Sequence, residues 1–105
     1  MIDPLERLSS IIKKQDQFLD ALSSWNSALI NARYFPNSDS KLLDRQTIKN
    51  QKIKELYDNY DNEILSYLER LHDDPFTNIF DFRLVKMESE IDSLIDEVNA
   101  LRKEL

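Results

Sequence analysis

The chain has 105 residues, of which 41% are hydrophobic and 32% are charged, and its formal net charge is −6. This length accommodates one domain. The composition is too apolar for a disordered tail and too charged for a membrane span. The net negative charge disfavours binding to nucleic-acid phosphates or anionic lipids. Glycine and cysteine are absent, which argues against phosphate-binding loops, nucleophile elbows, disulfides and thiolate metal sites and favours long helices.

The first predicted helix runs from Pro4 to Arg33. Asp3 is a plausible N-cap, and proline is favoured at the first helical position. Apolar residues follow at core spacings, which are Leu5, Leu8, Ile12, Leu19, Leu22 and Leu29, with Ile11, Phe18 and Trp25 beside them. This face is broad, as in a helical bundle, and Gln15 and Asn26 interrupt it.

The second predicted helix runs from about Lys41 to Leu71, after the loop "RYFPNSDS". Three residues could cap its N-terminus, namely Ser38, Asp39 or Ser40. Its core spacings hold Leu43, Ile53, Tyr57, Tyr60, Ile64, Tyr67 and Leu71. Gln46 and Asn50 lie on the same face, so the first third of this helix is more polar. Because the connection is short, we expect helices one and two to form an antiparallel hairpin.

The third predicted helix follows the loop "HDDPFTN", with Thr77 or Asn78 as a possible cap. It carries a seam, by which we mean a line of core positions spaced alternately three and four residues apart. The seam residues are Phe80, Leu84, Met87, Ile91, Leu94, Val98, Leu101 and Leu105. All of them are large and apolar, and charged residues flank them as in a coiled coil.

These patterns predict an all-α fold of three long helices, with residues 1–73 as the hairpin and residues 74–105 as a C-terminal seam helix of the same structural unit. A two-helix hairpin cannot bury a broad apolar face alone. The third helix therefore folds back onto it, another protein completes the bundle, or two copies associate. We expect the hairpin to contribute to an intermolecular four-helix bundle and the third helix to dock on a partner. The predicted interface residues are Leu8, Ile12, Phe18, Leu19, Leu22, Trp25, Leu29, Leu43, Ile53, Tyr57, Tyr60, Ile64, Leu84, Met87, Ile91, Leu94, Val98 and Leu101.

No residue pattern predicts a catalytic, cofactor or metal site. The single histidine, His72, precedes Asp73 and Asp74 in what we interpret as a solvated loop, since one ion rarely takes several ligands from consecutive residues. Acidic residues such as Asp16 and Asp20 offset the lysines of helix one, which disfavours a membrane-surface helix. The N-terminus has an acid where a secretory signal is basic, so we expect an intracellular protein.

Two short motifs are similar to a known family. They are Glu6-Arg7-Leu8 near the N-terminus and Leu42-Leu43-Asp44-Arg45-Gln46 at the start of helix two. With the order of helices over residues 5–105, they resemble the Mediator subunit 11 family, which consists of small helical proteins of the Mediator head module.

The resemblance implies a non-catalytic subunit without cofactors. It implies that the N-terminal hairpin pairs with Mediator subunit 22 in a four-helix bundle, and that the C-terminal part packs with subunits 22 and 17. The protein would be nuclear, would contact RNA polymerase II and general transcription factors through its complex, and would bind neither nucleic acid nor membranes directly. The periodicity is equally compatible with a small coiled-coil subunit of another assembly, such as a kinetochore or vesicle-tethering complex.

Overall fold

The computed structural model describes residues 4–35, 39–73 and 81–105. It contains the α-helices α1 (Pro4–Arg33), α2 (Ser40–Asp73) and α3 (Asp81–Lys103), and no described residue lies in a β-strand. The predicted all-α fold with three long helices is confirmed. The predicted caps Asp3, Thr77 and Asn78, and the seam residue Phe80, lie outside the described residues.

The predicted bounds of α1 agree with the structure, whereas those of α2 and α3 need small corrections. α2 begins at Ser40 and continues through Asp73, so His72 belongs to its last turn and not to a loop. α3 ends at Lys103, which leaves Leu105 beyond the helix.

The helix ends are closed without glycine. Asp39 caps α2, because its Oδ1 accepts hydrogen bonds from the backbone N–H groups of Lys41 (3.0 Å) and Leu42 (3.4 Å). α1 ends in a tight turn, in which Tyr34 N donates to Asn31 O at 3.1 Å. Such i→i+3 bonds satisfy terminal carbonyls without the positive φ that a glycine cap supplies, and no described residue has a positive φ.

α1 and α3 run side by side in the same direction and make the most extensive contact between helices. Ser10 Oγ donates to Glu88 Oε1 at 2.7 Å, and Lys14 Nζ lies 2.9 Å from Asp92 Oδ1. From the first pair to the second, a step of four residues along α1 is matched by a step of four along α3. Both pairs lie at the edge of the contact, so they contribute more to register than to stability.

α2 crosses the other two helices in the opposite direction. Gln15 Nε2 of α1 donates to Asp61 Oδ1 at 3.1 Å, whereas Asn26, further along α1, accepts from Asn50, which is earlier in α2. The described part of the chain is an elongated bundle that measures 58 × 23 × 17 Å.

The buried positions of each helix follow alternating three- and four-residue spacing, which gives the bundle a coiled-coil-like core. In α1 they are Leu8, Ile11, Gln15, Phe18, Leu22, Trp25 and Leu29, and the small Ala21 is buried beside them. In α2 they are Gln46, Ile53, Tyr60 and Ile64, with Tyr57, Tyr67 and Leu71 packed beside them. In α3 they are Leu84, Met87, Ile91, Leu94, Val98 and Leu101.

The core face predicted for α1 is partly wrong. Three residues at its predicted core spacings are exposed, namely Leu5, Ile12 and Leu19. The core instead runs through Gln15, which is buried and hydrogen-bonded to Asp61. An amide that is satisfied in this way can occupy a core position without the cost of an unpaired polar group.

The seam of α3 is covered by the chain itself. Its six described residues from Leu84 to Leu101 are all buried in the single chain and belong to one apolar cluster with residues of α1 and α2. Of the arrangements that the sequence left open, the structure has the third helix folded back along the other two. The use of α3 as a docking helix for another protein remains a prediction.

Candidate partner-binding surface

The described residues offer no metal site, since no group of three or more His, Cys, Asp or Glu side chains could hold an ion. His72 Nδ1 lies 3.6 Å from Asp73 Oδ1, and both side chains are almost fully exposed. No helix in the described part of the chain is long and apolar enough to cross a membrane.

The structure separates the eighteen predicted interface residues into three groups. Fourteen are buried in the chain's own core, and Leu43 and Tyr57 are half-buried. Only Ile12 and Leu19 are exposed, by 38% and 44%. A partner that approaches the intact bundle can reach these two directly, whereas the buried residues act first to hold the three helices together.

A buried polar contact joins all three helices at the end where α2 begins. Gln46 is only 1% exposed, and its side-chain oxygen accepts a hydrogen bond of 2.8 Å from Trp25 Nε1. Its Nε2 donates to the backbone oxygen of Leu101 at 2.8 Å and to Glu104 Oε2 at 3.2 Å. The Leu101 oxygen lies in the last turn of α3, where carbonyls lack the usual i+4 partner, so Gln46 also caps α3.

The contact between α1 and α2 combines aromatic stacking with hydrogen bonds. The rings of Phe18 and Tyr57 are stacked, with centroids 4.6 Å apart and an interplanar angle of 17°. On either side of this stack lie the Gln15–Asp61 and Asn26–Asn50 bonds, and Arg33 Nη2 donates to Thr47 Oγ1 at 2.9 Å nearer the C-terminus of α1. Asn26 and Asn50, which interrupt the apolar faces in the sequence, thus bind one another across the helices, and Gln15 binds Asp61.

α2 and α3 are joined by polar contacts at the opposite end of the bundle. Arg83 makes two parallel hydrogen bonds to Glu63, from Nε to Oε1 at 3.0 Å and from Nη2 to Oε2 at 2.9 Å. Tyr60 Oη donates to Glu90 Oε2 at 2.5 Å. Burial of the phenol is the main cause, and this hydrogen bond the second, that raises the pKa of Tyr60 to about 12.

Exposed apolar side chains of α1 lie on the side away from α3. Leu5, Ile12 and Leu19 recur every seven residues. Arg7 and Lys14, which pair with residues of α3, lie two positions after Leu5 and Ile12. Two positions correspond to about 200° around an α-helix. This side of α1 therefore does not take part in the α1–α3 contact.

α2 extends this exposed apolar surface. Leu65 and Leu68 follow Asp61 by four and seven residues, so they lie on the face of α2 that contacts α1. Both are exposed, as is Ile30, which is eleven residues beyond Leu19 and hence on the same face of α1. We call Ile12, Leu19, Ile30, Leu65 and Leu68 the outer face. Ile30 and Leu65 are not among the predicted interface residues, because neither lies on a predicted core seam.

Charges on the outer face are sorted along its length. Asp16, Asp58 and Asp61 surround Tyr57 near the middle of α1, and these carboxylates, after burial of the ring, raise the pKa of the Tyr57 phenol. At the other end, Arg33 and Lys54 line a shallow pocket of about 280 Å³ together with Ile30. The outer face thus has three carboxylates near its apolar centre and two basic residues at the end nearer the C-terminus of α1.

A second exposed apolar area lies at the end of the bundle where α1 terminates. Phe35 and Leu105, with the half-buried Leu42 and Leu43, line a pocket of about 340 Å³. Tyr34 beside it is 83% exposed. Leu42 and Leu43 belong to the motif that carries the family resemblance, so this motif contributes to a surface as well as to the buried Gln46 contact.

Comparison with known proteins finds no match. No family model, no curated protein sequence and no solved structure is recognisably similar to the chain.

Proposed function

We propose that the chain is a non-catalytic structural subunit that works by helical assembly with other proteins. The observation that carries this proposal is the outer face, since Ile12, Leu19 and Leu65 are large apolar residues on one side of an otherwise filled bundle. Grouped apolar residues of this kind mark interaction sites more often than single exposed residues do. A further helix laid along α1 and α2 would cover them.

The setting proposed for this assembly is the Mediator head module in the nucleus, with Mediator subunits 22 and 17 as direct partners. It rests on the two motifs that resemble Mediator subunit 11, and through such a complex the chain would act in transcription initiation by RNA polymerase II. A partner helix on the outer face would make α1 and α2 part of a four-helix bundle. The second candidate is a subunit of another helical complex, such as a kinetochore or vesicle-tethering assembly, which the same outer face would serve.

Purification of the tagged native protein, followed by mass spectrometry, tests the setting. Mediator head subunits should dominate the recovered material, and subunits 22 and 17 should be present in amounts close to that of the tagged chain. Recovery of a different stoichiometric complex would replace the Mediator assignment with the second candidate. Recovery of the chain alone, under conditions that preserve known complexes, would contradict the structural-subunit proposal itself.

A pair of substitutions tests the surface. Ile12→Asp with Leu19→Asp places two charges where an apolar partner must dock, so we expect loss of the native complex with little change in thermal stability. Ile48→Asp is the matched control. Ile48 is also exposed, but it follows the buried Gln46 by two residues and therefore lies on the far side of α2. Equal loss of the complex in the control would show that the outer face is not the docking site.

A further inference from the structure

The outer face carries an excess of negative charge where it is most apolar. Asp16 lies between Ile12 and Leu19 on α1, and Asp58 lies one turn from Asp61 on α2. Asp16 and Asp58 are exposed, and no hydrogen bond or ion pair with a basic side chain satisfies either of them among the described residues. Burial of this area by an apolar partner alone would leave carboxylates poorly solvated at its rim.

The charge pattern argues against a second copy as the occupant. Two outer faces brought together with their apolar residues in contact would place two sets of three carboxylates close to each other. Lys13 lies three residues from Asp16 and Lys54 four residues from Asp58, so these two lysines offset part of this charge, whereas Arg33 is seventeen residues from Asp16, about 25 Å along α1. Each chain also carries a net charge of −6, so like-charge repulsion opposes this dimer.

We propose that the outer face binds one amphipathic helix whose apolar stripe covers Ile12, Leu19 and Leu65 and whose Lys and Arg flanks meet Asp16 and Asp58. This deepens the proposed function, since it states the chemistry of the partner helix. Apolar contact supplies most of the affinity, and the rim charges select a basic partner and accelerate its association. The third carboxylate, that of Asp61, is already engaged by Gln15 and strengthens the field there.

Two designed peptides test this inference on the full chain. Both are helical, about 21 residues long, with leucines at alternating three- and four-residue spacing; one carries lysines at the flanking positions and the other carries glutamates. We expect the lysine peptide to bind at least tenfold more tightly at low salt, and the difference to shrink as salt screens the rim charges. Fluorescence anisotropy of the labelled peptides measures both affinities.

Matched charge variants localise the binding. Asp16→Asn with Asp58→Asn should weaken the lysine peptide about tenfold, since two rim attractions are lost. Asp96→Asn with Glu97→Gln changes the net charge equally but on the exposed side of α3, and it should change the affinity less than twofold. Equal weakening by both pairs would show non-specific attraction of a cation to an acidic protein. A stable dimer of the free chain that blocks peptide binding would establish a second copy as the occupant instead.

The outcomes separate this inference from the proposed function. A native complex whose contacting helix carries no basic flank would refute the partner chemistry while the structural-subunit proposal stands. Peptide selectivity at the outer face, combined with purification that recovers no complex, would support the surface chemistry and refute the subunit proposal.

Discussion

Replacing Gln46 by leucine should destabilise the bundle although leucine is more apolar and of similar size. The substitution removes the acceptor of Trp25 Nε1 and the donor to the Leu101 oxygen. Trp25 is fully buried, so water cannot replace the lost partner. The Leu101 oxygen still accepts from Glu104 N at 3.1 Å, so the unpaired indole N–H accounts for most of the penalty.

The magnitude follows from the cost of one buried unsatisfied donor. Such a group costs about 1–3 kcal/mol, and the apolar gain of leucine offsets part of this. We expect the free energy of unfolding to fall by about 2 kcal/mol, which for a domain of this size lowers Tm by roughly 8–16 °C. The matched control is Gln51→Leu in the same helix. The exposed amide of Gln51 makes only a 3.4 Å contact with Glu55, so this substitution should change the free energy of unfolding by less than about 0.5 kcal/mol.

A double-mutant cycle identifies the mechanism. Trp25→Phe alone leaves the Gln46 side-chain oxygen unpaired, whereas Gln46→Leu with Trp25→Phe leaves neither partner behind. The double variant should therefore be more stable than the sum of the single effects predicts, by about 1 kcal/mol or more. Urea unfolding followed by circular dichroism measures all four proteins. Strict additivity, or a Gln46→Leu variant as stable as the parent, would refute the proposed hydrogen-bond network.

Two further predictions concern α2 and α3. Because the folded-state pKa of Tyr60 is about 12 and the unfolded-state value is about 10, the native state retains a proton that the unfolded state loses between these values. The free energy of unfolding should therefore fall as pH rises from 10 to 12. Tyr60→Phe should reduce this fall, as measured by urea unfolding at alkaline pH. A fall of the same size in the variant would exclude Tyr60 as its cause. Met87→Ala should lower the free energy of unfolding by about 2–5 kcal/mol, since Met87 is fully buried. The exposed neighbour Val85 is its control, and similar losses in Met87→Ala and Val85→Ala would contradict the packing of α3 in the core.

The existence and approximate bounds of the helices were predictable because local signals specify them. Pro4, Pro36 and Pro75 divide the sequence, and the apolar spacing between them is helical over long stretches. The seam of α3 was predicted correctly from Leu84 to Leu101, because no polar residue competes with the apolar ones for the core positions, whereas Leu105 lies beyond the helix and is exposed.

The core face of α1 was less predictable because its centre is polar. Apolar residues surround that helix broadly, and the choice among them depends on which side the other helices occupy. A glutamine is polar, so the sequence alone predicts that Gln15 is exposed. Only its hydrogen bond to Asp61 explains why it can occupy a core position. In the same way, the polar residues of α2 were visible in the sequence, but the partner that satisfies Gln46 is distant along the chain and only the packing reveals it.

The separation of core and outer face determines which substitutions can test assembly. A charge at Leu94 or Leu101 would disrupt the chain's own core, because both side chains are buried against the other helices. Loss of a complex in such variants would follow from unfolding whether or not α3 touches a partner. Ile12 and Leu19 are different, since the core of α1 is filled without them. A loss of assembly in Ile12→Asp with Leu19→Asp, at unchanged Tm, can therefore be attributed to docking itself.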